Sequence, residues 1–393
     1  MNALLETYCP FLPLFSFLLT SLAVIWIHPL LVRLARLKNI VDNPDARKLQ
    51  RTPVPVLGGV AVFFGITLSM GSFCSCYDSS LLPIFFTVLT VMLYIGTMDD
   101  VMGLSPRLRF VIEILSVLLL IIVSGSSIDH FHGLWQIKDI PEVLAVPLTV
   151  FIAVGIINSI NLIDGVNGLS SGFCILASAV FGLFFYLSDD VLMTILASAC
   201  CGAILPFFLH NVFGNTSRMF IGDGGTLLMG MVMSIFVIRV LEHDSKTYAL
   251  VDADMGLIPF TMAVLSIPVF DTLRVMTTRI LRGKSPFQPD KTHLHHLFIE
   301  VGFSHSGTAF CILLLNALVV LLWWASWQLG VGIDFQLYLV IGLGVLLTFV
   351  FYPLVKHLDK QNSFYRWLRY LALHSYIEKK GTILRFQRWL DKI

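Results

Sequence analysis

Apolar runs of about twenty residues, the length that spans the hydrocarbon core of a bilayer, recur near residues 11–34, 55–73, 81–98, 108–124, 143–160, 169–187, 191–209, 225–241, 255–273, 307–328 and 336–355. No single water-soluble core could hide so many, and inside a membrane each run must satisfy its own backbone polar groups. The expected fold is an all-α integral membrane protein with about eleven transmembrane helices. Only 13% of the residues are charged and the mean hydropathy is +0.84, against about 25% charged in soluble domains.

Charge orients the spans. With the N-terminus outside and the C-terminus inside, only Lys138, Arg239 and Lys246 of the 26 Lys and Arg residues lie on the outer side, as the positive-inside rule requires. No Lys or Arg precedes the first run and a basic cluster follows it, the reverse of a signal peptide. The first run is therefore read as a helix that stays in the membrane. Residues 1–355 form one polytopic domain without internal repeats. Residues 356–393 form a basic cytoplasmic tail whose Phe364, Trp367, Leu368, Leu371, Phe386, Trp389 and Leu390 have the spacing of amphipathic helices at a membrane surface. A net charge of +1 with no basic block between aromatics excludes a nucleic-acid partner. The seven cysteines lie mostly in apolar runs and read as small buried residues.

On this map every chemically suggestive motif falls at an inner end of a span. The outer Asp189-Asp190 and Glu242-His243-Asp244 read as solvated turns. Asn158, Asn161, Asp164 and Asn167 stand three residues apart between two apolar runs, and polar groups so placed mark a functional site by default. Gly165 and Gly168 suggest a helix end turning into a loop that gathers the four side chains. Because this inner turn has no Lys or Arg, it reads as the neutral wall of a site whose cations come from elsewhere.

The other inner loops bring charge. Asp99 and Asp100 are adjacent carboxylates at a span end, which need a cation or a shared proton, and Arg107 and Arg109 follow closely. Gly222-Asp223-Gly224-Gly225 opens a span, with backbone N–H groups suited to phosphate and a hard oxygen ligand for a divalent cation. The first inner loop places Lys48 before Pro53, Pro55 and Gly58-Gly59 as an anion cradle. The last carries Arg279, Arg282, His293, His295 and His296. Zinc is disfavoured there because no Cys or further His stands at loop spacing, and a clamp for pyrophosphate and sugar fits better.

Pro-Val-Pro-x-x-Gly-Gly, Asp99-Asp100, Asn158-x-x-Asn161-x-x-Asp164-Gly, Gly222-Asp223 and His293-x-His295-His296 together resemble the polyprenyl-phosphate N-acetylhexosamine-1-phosphate transferase family, glycosyltransferase family 4, in its bacterial undecaprenyl-phosphate GlcNAc-1-phosphate branch. The resemblance runs in order from the first span to about residue 355 and leaves out the tail. It implies a multi-pass enzyme of the bacterial cytoplasmic (inner) membrane that moves an amino-sugar phosphate from a UDP-sugar to undecaprenyl phosphate and releases UMP, starting a lipid-linked envelope glycan such as O-antigen. It also implies Mg2+, with Mn2+ as a substitute, held by Asp223 and Asn161. Asp99 would orient, deprotonate or itself attack, and Asp100 would balance charge. Phe220 would stack on uracil, with Asn167 hydrogen-bonding its edge and Asp164 bracing the turn beside it. Lys48, Arg109, Arg279 and Arg282 would contact phosphate, Asn158 would face the substrate, and the histidines would touch diphosphate or sugar.

Three positions depart from the pattern. Asn167 stands where many bacterial members carry Asp, and Gln50 where members often carry His. The His-x-His-His run after Pro-Asp-Lys matches the GlcNAc-type branch rather than the peptidoglycan enzyme, phospho-MurNAc-pentapeptide transferase. That enzyme remains the alternative within the family. A polytopic transporter is the alternative of another class, although transporters place polar groups at the membrane midplane in repeated halves. The particular sugar, the downstream polymer and the choice between monomer and homodimer are not encoded in these motifs.

Overall fold

The computed structural model describes residues 11–42, 52–243, 254–286, 290–377 and 380–392; Lys48 and Gln50 lie outside them. Each of the eleven apolar runs is helical. In chain order the helices are α1 (Leu12–Leu37), α2 (Gly58–Ser72), α3 (Leu82–Met102), α4 (Pro106–Ser124), α5 (Glu142–Leu162), α6 (Leu169–Leu187), α7 (Val191–Phe213) and α8 (Gly222–Leu241). They continue as α9 (Leu257–Val264), α10 (Ser266–Leu281), α11 (Leu294–Val301), α12 (His305–Gln328), α13 (Ile333–His357), α14 (Ser363–His374) and α15 (Gly381–Leu390). Among the described residues eight are long and apolar enough to cross a membrane, or nine if α9 and α10 form one bent span. The expected eleven spans are not reached on that measure. Helix α2 has 15 residues, roughly 22 Å of rise against about 30 Å of hydrocarbon, and α4 carries Arg107, Arg109 and Glu113.

Helix α8 is the axis of the bundle. It is apolar all round and almost wholly buried, as a helix without a solvent or lipid face must be, and it packs against α2, α3 and α5. Small residues permit this. A Cβ on Gly96 of α3 would lie 2.4 Å from the backbone of Asp223, and one on Gly59 of α2 would lie 2.3 Å from the Gly225 nitrogen. The close packing expected of Gly58-Gly59 is present, and their amides donate to the carbonyls of Phe220 and Ile221. A short antiparallel ribbon, β1 (Val41–Asp42) with β2 (Val54–Pro55), holds the ends of the first inner loop beside them.

The bend of 76° between α9 and α10 has a local cause. Pro268 cannot donate to the Val264 carbonyl, and its ring excludes that carbonyl from helical geometry. Asn316 of α12 repairs the break: its amide donates to Val264 O at 2.9 Å, and its oxygen accepts from Ile267 N and Ser266 Oγ at 3.0 Å. One polar side chain in an apolar run thus satisfies groups that lipid could not. The outer turns differ from expectation. Asp190 and Glu242 are buried rather than solvated, both bound by Arg239, with Asp190 at 2.7 Å. An arginine at the end of a buried helix needs such partners.

Gly96→Ala is expected to destabilise the bundle by on the order of 1–3 kcal/mol, lowering the melting temperature in detergent. Gly155→Ala, whose Cβ would meet nothing within 4 Å, is the control and should melt as the parent does. Equal melting temperatures for all three proteins would rule out the close contact of α3 with α8.

Candidate active site

The N-terminus of α8 is capped from another helix. Gly222 turns into α8 at φ +71°, and a Cβ there would lie 2.4 Å from Asp100 Oδ2. In that space Asp100 accepts hydrogen bonds from the amides of Asp223 at 3.0 Å and Gly224 at 3.2 Å. The N–H groups expected to await phosphate are therefore taken by Asp100, which also answers the positive end of the helix dipole.

Asp99 faces the other way. Its Oδ1 accepts from Leu104 N at 2.7 Å, and its Oδ2 pairs with Arg109 Nη1 at 3.0 Å. Ser105 caps α4 by accepting from Leu108 N, which sets the first turn that returns Arg109 to α3. Arg109 then reaches Glu113 at 3.4 Å and Asp223 Oδ2 at 3.7 Å. Among the described residues it is the one cation in ionic contact with Asp99, Asp223 and the buried Glu113, while Asp100 has none. This surplus of carboxylate charge calls for a further cation.

The residues of the polar turn do not converge on one point. Asn158 donates to Glu113 and to Val154 O, so it braces the carboxylate cluster and does not line the cavity beside it. Asn161 donates its amide nitrogen to Asp223 Oδ1 at 2.7 Å and to Thr226 Oγ1 at 2.8 Å, leaving its oxygen as the atom a cation could use. Asp164 accepts from Ser170 Oγ. Gly168 takes the expected positive φ of +81° and donates to Asn211 Oδ1 at 2.8 Å. Gly165 has another role: a Cβ there would lie 2.0 Å from His295 Nε2, so the missing side chain lets the imidazole pack against the turn.

A cavity of about 770 Å³ opens beside these groups, lined by Asp100, Asp223, Asp164, Asn167, Phe220 and His296 among others. That is the size of a site for a nucleotide-sized ligand. Several expected site residues stand off it. Arg279 is engaged with Asp290 at 2.9 Å and Pro286 O at 2.6 Å, and Arg282 is exposed at the end of α10. His293 is buried against Asp271 at 3.0 Å, and its Nε2 has no hydrogen-bond partner among the described residues. Asp271 also binds Arg274 at 2.6 Å and the Leu294 amide, so it sets the start of α11 and the histidine run with it. Glu113 and Asp271 were missed on the sequence, yet both are carboxylates inside apolar runs with an arginine one helical turn away, a pattern that marks such residues.

Burial first, then the neighbouring imidazoles, pushes His295 down to about 3; burial and His293 push His296 down to about 4. Both are neutral at pH 7. An unfolded histidine takes a proton near pH 6.5, so this pair loses stability as pH falls from that value toward 4. Asp164 has the opposite sign. Burial raises it to about 6, so its cost is present above that pH and is relieved as pH falls. The drop in melting temperature between pH 7.5 and pH 5 should therefore be smaller in His295→Asn than in the parent. An equal or larger drop would show that His295 is not held neutral.

The sequence model of glycosyl transferase family 4 matches residues 82–241, which carry Asp99, Asp100, Arg109, the polar turn and Asp223. Curated relatives cover more. The undecaprenyl-phosphate alpha-N-acetylglucosaminyl 1-phosphate transferase of Salmonella typhi is 27% identical over 72% of this chain and 74% of its own length. The Escherichia coli (strain K12) protein of that name is 28% identical over 72% and 76%. A Bacillus subtilis (strain 168) protein, named a "probable undecaprenyl-phosphate N-acetylglucosaminyl 1-phosphate transferase", is 29% identical over 77% and 81%. Residues 82–241, with the carboxylate cluster and the polar turn, match glycosyl transferase family 4, and the chain is similar to undecaprenyl-phosphate sugar-1-phosphate transferases over about three quarters of its length.

Proposed function

We propose that this protein transfers an N-acetylhexosamine-1-phosphate, GlcNAc-1-phosphate by preference, from a UDP-sugar to undecaprenyl phosphate at the cytoplasmic face of a bacterial inner membrane. The observation that carries the reading is the cluster of Asp99, Asp100 and Asp223, with a single arginine pairing Asp99 and Asp223, at the edge of a nucleotide-sized cavity. The names of the relatives support GlcNAc over the muramoyl-pentapeptide donor. The orientation rests on the distribution of Lys and Arg.

The three aspartates divide the work. Asp100 and Asp223 border the cavity, where the donor diphosphate would lie. Asp99 is tied to Arg109 on the α4 side, where the apolar Leu108, Val111 and Leu115 are exposed. That side suits the polyprenyl phosphate. An oxygen of the lipid phosphate attacks the sugar-bearing phosphorus, the bond to the bridging oxygen breaks, and UMP leaves with the electron pair. The acceptor is already ionised near neutral pH, so no strong base is needed. Positioning and charge neutralisation dominate. Asp99 and Arg109 orient the acceptor, and Asn161 fixes the carboxylate of Asp223. The donor set fits Mg2+ or Mn2+: Asp223, the free oxygen of Asn161 and the surplus of negative charge supply hard oxygen ligands. Bound there, the ion would neutralise the diphosphate.

Purified protein with Mg2+, UDP-GlcNAc and undecaprenyl phosphate is expected to release UMP, and chelation or Asp223→Ala to abolish release. Folded protein that yields no UMP from UDP-GlcNAc, UDP-GalNAc, UDP-QuiNAc or UDP-MurNAc-pentapeptide would exclude the reaction. In Asp99→Asn, turnover should fall by about a hundredfold or more with the donor KM nearly unchanged. A rise in donor KM of the same size would move Asp99 to donor binding.

A further inference from the structure

Part of the cavity wall is built by the C-terminal tail. Tyr376 and Ile377, just after α14, and Ile383 and Gln387 of α15 line it. The tail is anchored at three places. Ser375 Oγ accepts from Ser304 N at 3.0 Å, and Ser375 O accepts from Ser304 Oγ at 2.7 Å. Gly307 leaves room for that contact, since a Cβ there would lie 2.3 Å from Ser375 Cβ. Phe386 packs edge-on against Phe213 at 5.7 Å. Asp391 Oδ1 accepts from Asn215 N, Ser217 N and Ser217 Oγ, each at 2.9 Å. The tail thus bridges the turn after α7 and the turn before α12.

Both turns belong to the same end of the cavity. Asn167 N approaches His305 Nδ1 at 3.4 Å, His305 adjoins Ser304, and the Asn215–Ser217 turn leads into Arg218 and Phe220 of the lining. Asn167, Arg218 and Phe220 all line the cavity here. Gln387 is only 6% exposed and lines the same cavity. A side-chain amide in a cavity wall can offer a ligand both a donor and an acceptor. Its donor and acceptor match the edge of a pyrimidine base or the hydroxyls of a ribose.

We propose that the tail completes the donor site: Gln387, held by the anchors at Ser375, Phe386 and Asp391, hydrogen-bonds the uridine part of the nucleotide, and Tyr376 covers it. The proposal rests on the donor being a UDP-sugar with its diphosphate at Asp100 and Asp223. The tail then sets donor affinity, while its outer face, with Trp367, Tyr370 and Leu373 exposed, remains free for the membrane surface.

The test uses the full-length protein in detergent. Binding of UMP and of GlcNAc-1-phosphate is measured by calorimetry, and KM is measured for each substrate, in the parent, Gln387→Ala, Gln387→Glu and Asp391→Asn. Gln387→Ala should weaken UMP about tenfold, the size of one hydrogen bond lost to a bound ligand, and raise the UDP-GlcNAc KM by a similar factor. Binding of GlcNAc-1-phosphate and the KM for undecaprenyl phosphate should stay within about twofold. Asp391→Asn should act in the same direction, and Gln387→Glu keeps the test open if the alanine variant fails to fold. Unchanged UMP affinity in a folded Gln387 variant overturns the proposal, as does weakening confined to GlcNAc-1-phosphate. If the parent binds UMP through Gln387 but forms no product from any donor, the tail assignment stands and the transfer reaction falls.

Discussion

The site depends on one hydrogen-bonded junction, Asp100 of α3 against the first amides of α8. A helix buried on all sides cannot leave its N-terminal donors to water, and α8 has no side chain of its own that caps them. Asp100 supplies the cap, and in doing so locks α3 to α8 at the level where Asp223 emerges. Gly96, Gly59 and Gly222 make room for the junction. The neighbouring Asp99 is then forced onto the opposite side, toward α4 and Arg109. Two adjacent carboxylates acquire different surroundings because consecutive residues on a helix point about 100° apart.

From that junction the rest of the site follows by contact. Arg109 touches Asp99, Glu113 and Asp223; Asn158 restrains Glu113 and Asn161 restrains Asp223. Each side chain holds the next, so the cluster is preorganised for a charged ligand rather than assembled around one. His293 is committed to Asp271, and His295 and His296 are held neutral by burial, so His295 and His296 can offer shape and hydrogen bonds but not charge. The C-terminal helices close the far side of the cavity and give the amphipathic tail an inner face as well as an outer one.

Much of this was legible in the chain. The helical class, the positions of the apolar segments and the grouping of Asp99, Asp100, Arg109, Asn161 and Asp223 could be read from hydropathy and from the motifs, because lipid tolerates polar groups only where something pairs with them. The number of full spans could not, since α2 is short, α4 opens on charge and Pro268 breaks a run in two. Nor could the partners: Asn158, expected to face substrate, braces Glu113, and Gly165, in the turn as expected, also makes room for His295.

Sequence alone therefore determined that the chain folds as apolar helices and which polar and charged residues stand at their ends, because periodicity, hydropathy and local motifs act over a few turns of chain. Tertiary structure decided which carboxylate caps and which pairs with arginine, which histidine reaches the cavity, and that the tail forms part of the cavity wall. Those choices depend on contacts between residues far apart in the chain, such as Asp100 with Asp223 and Asp391 with Ser217. Their energies come from burial and geometry that no local pattern contains.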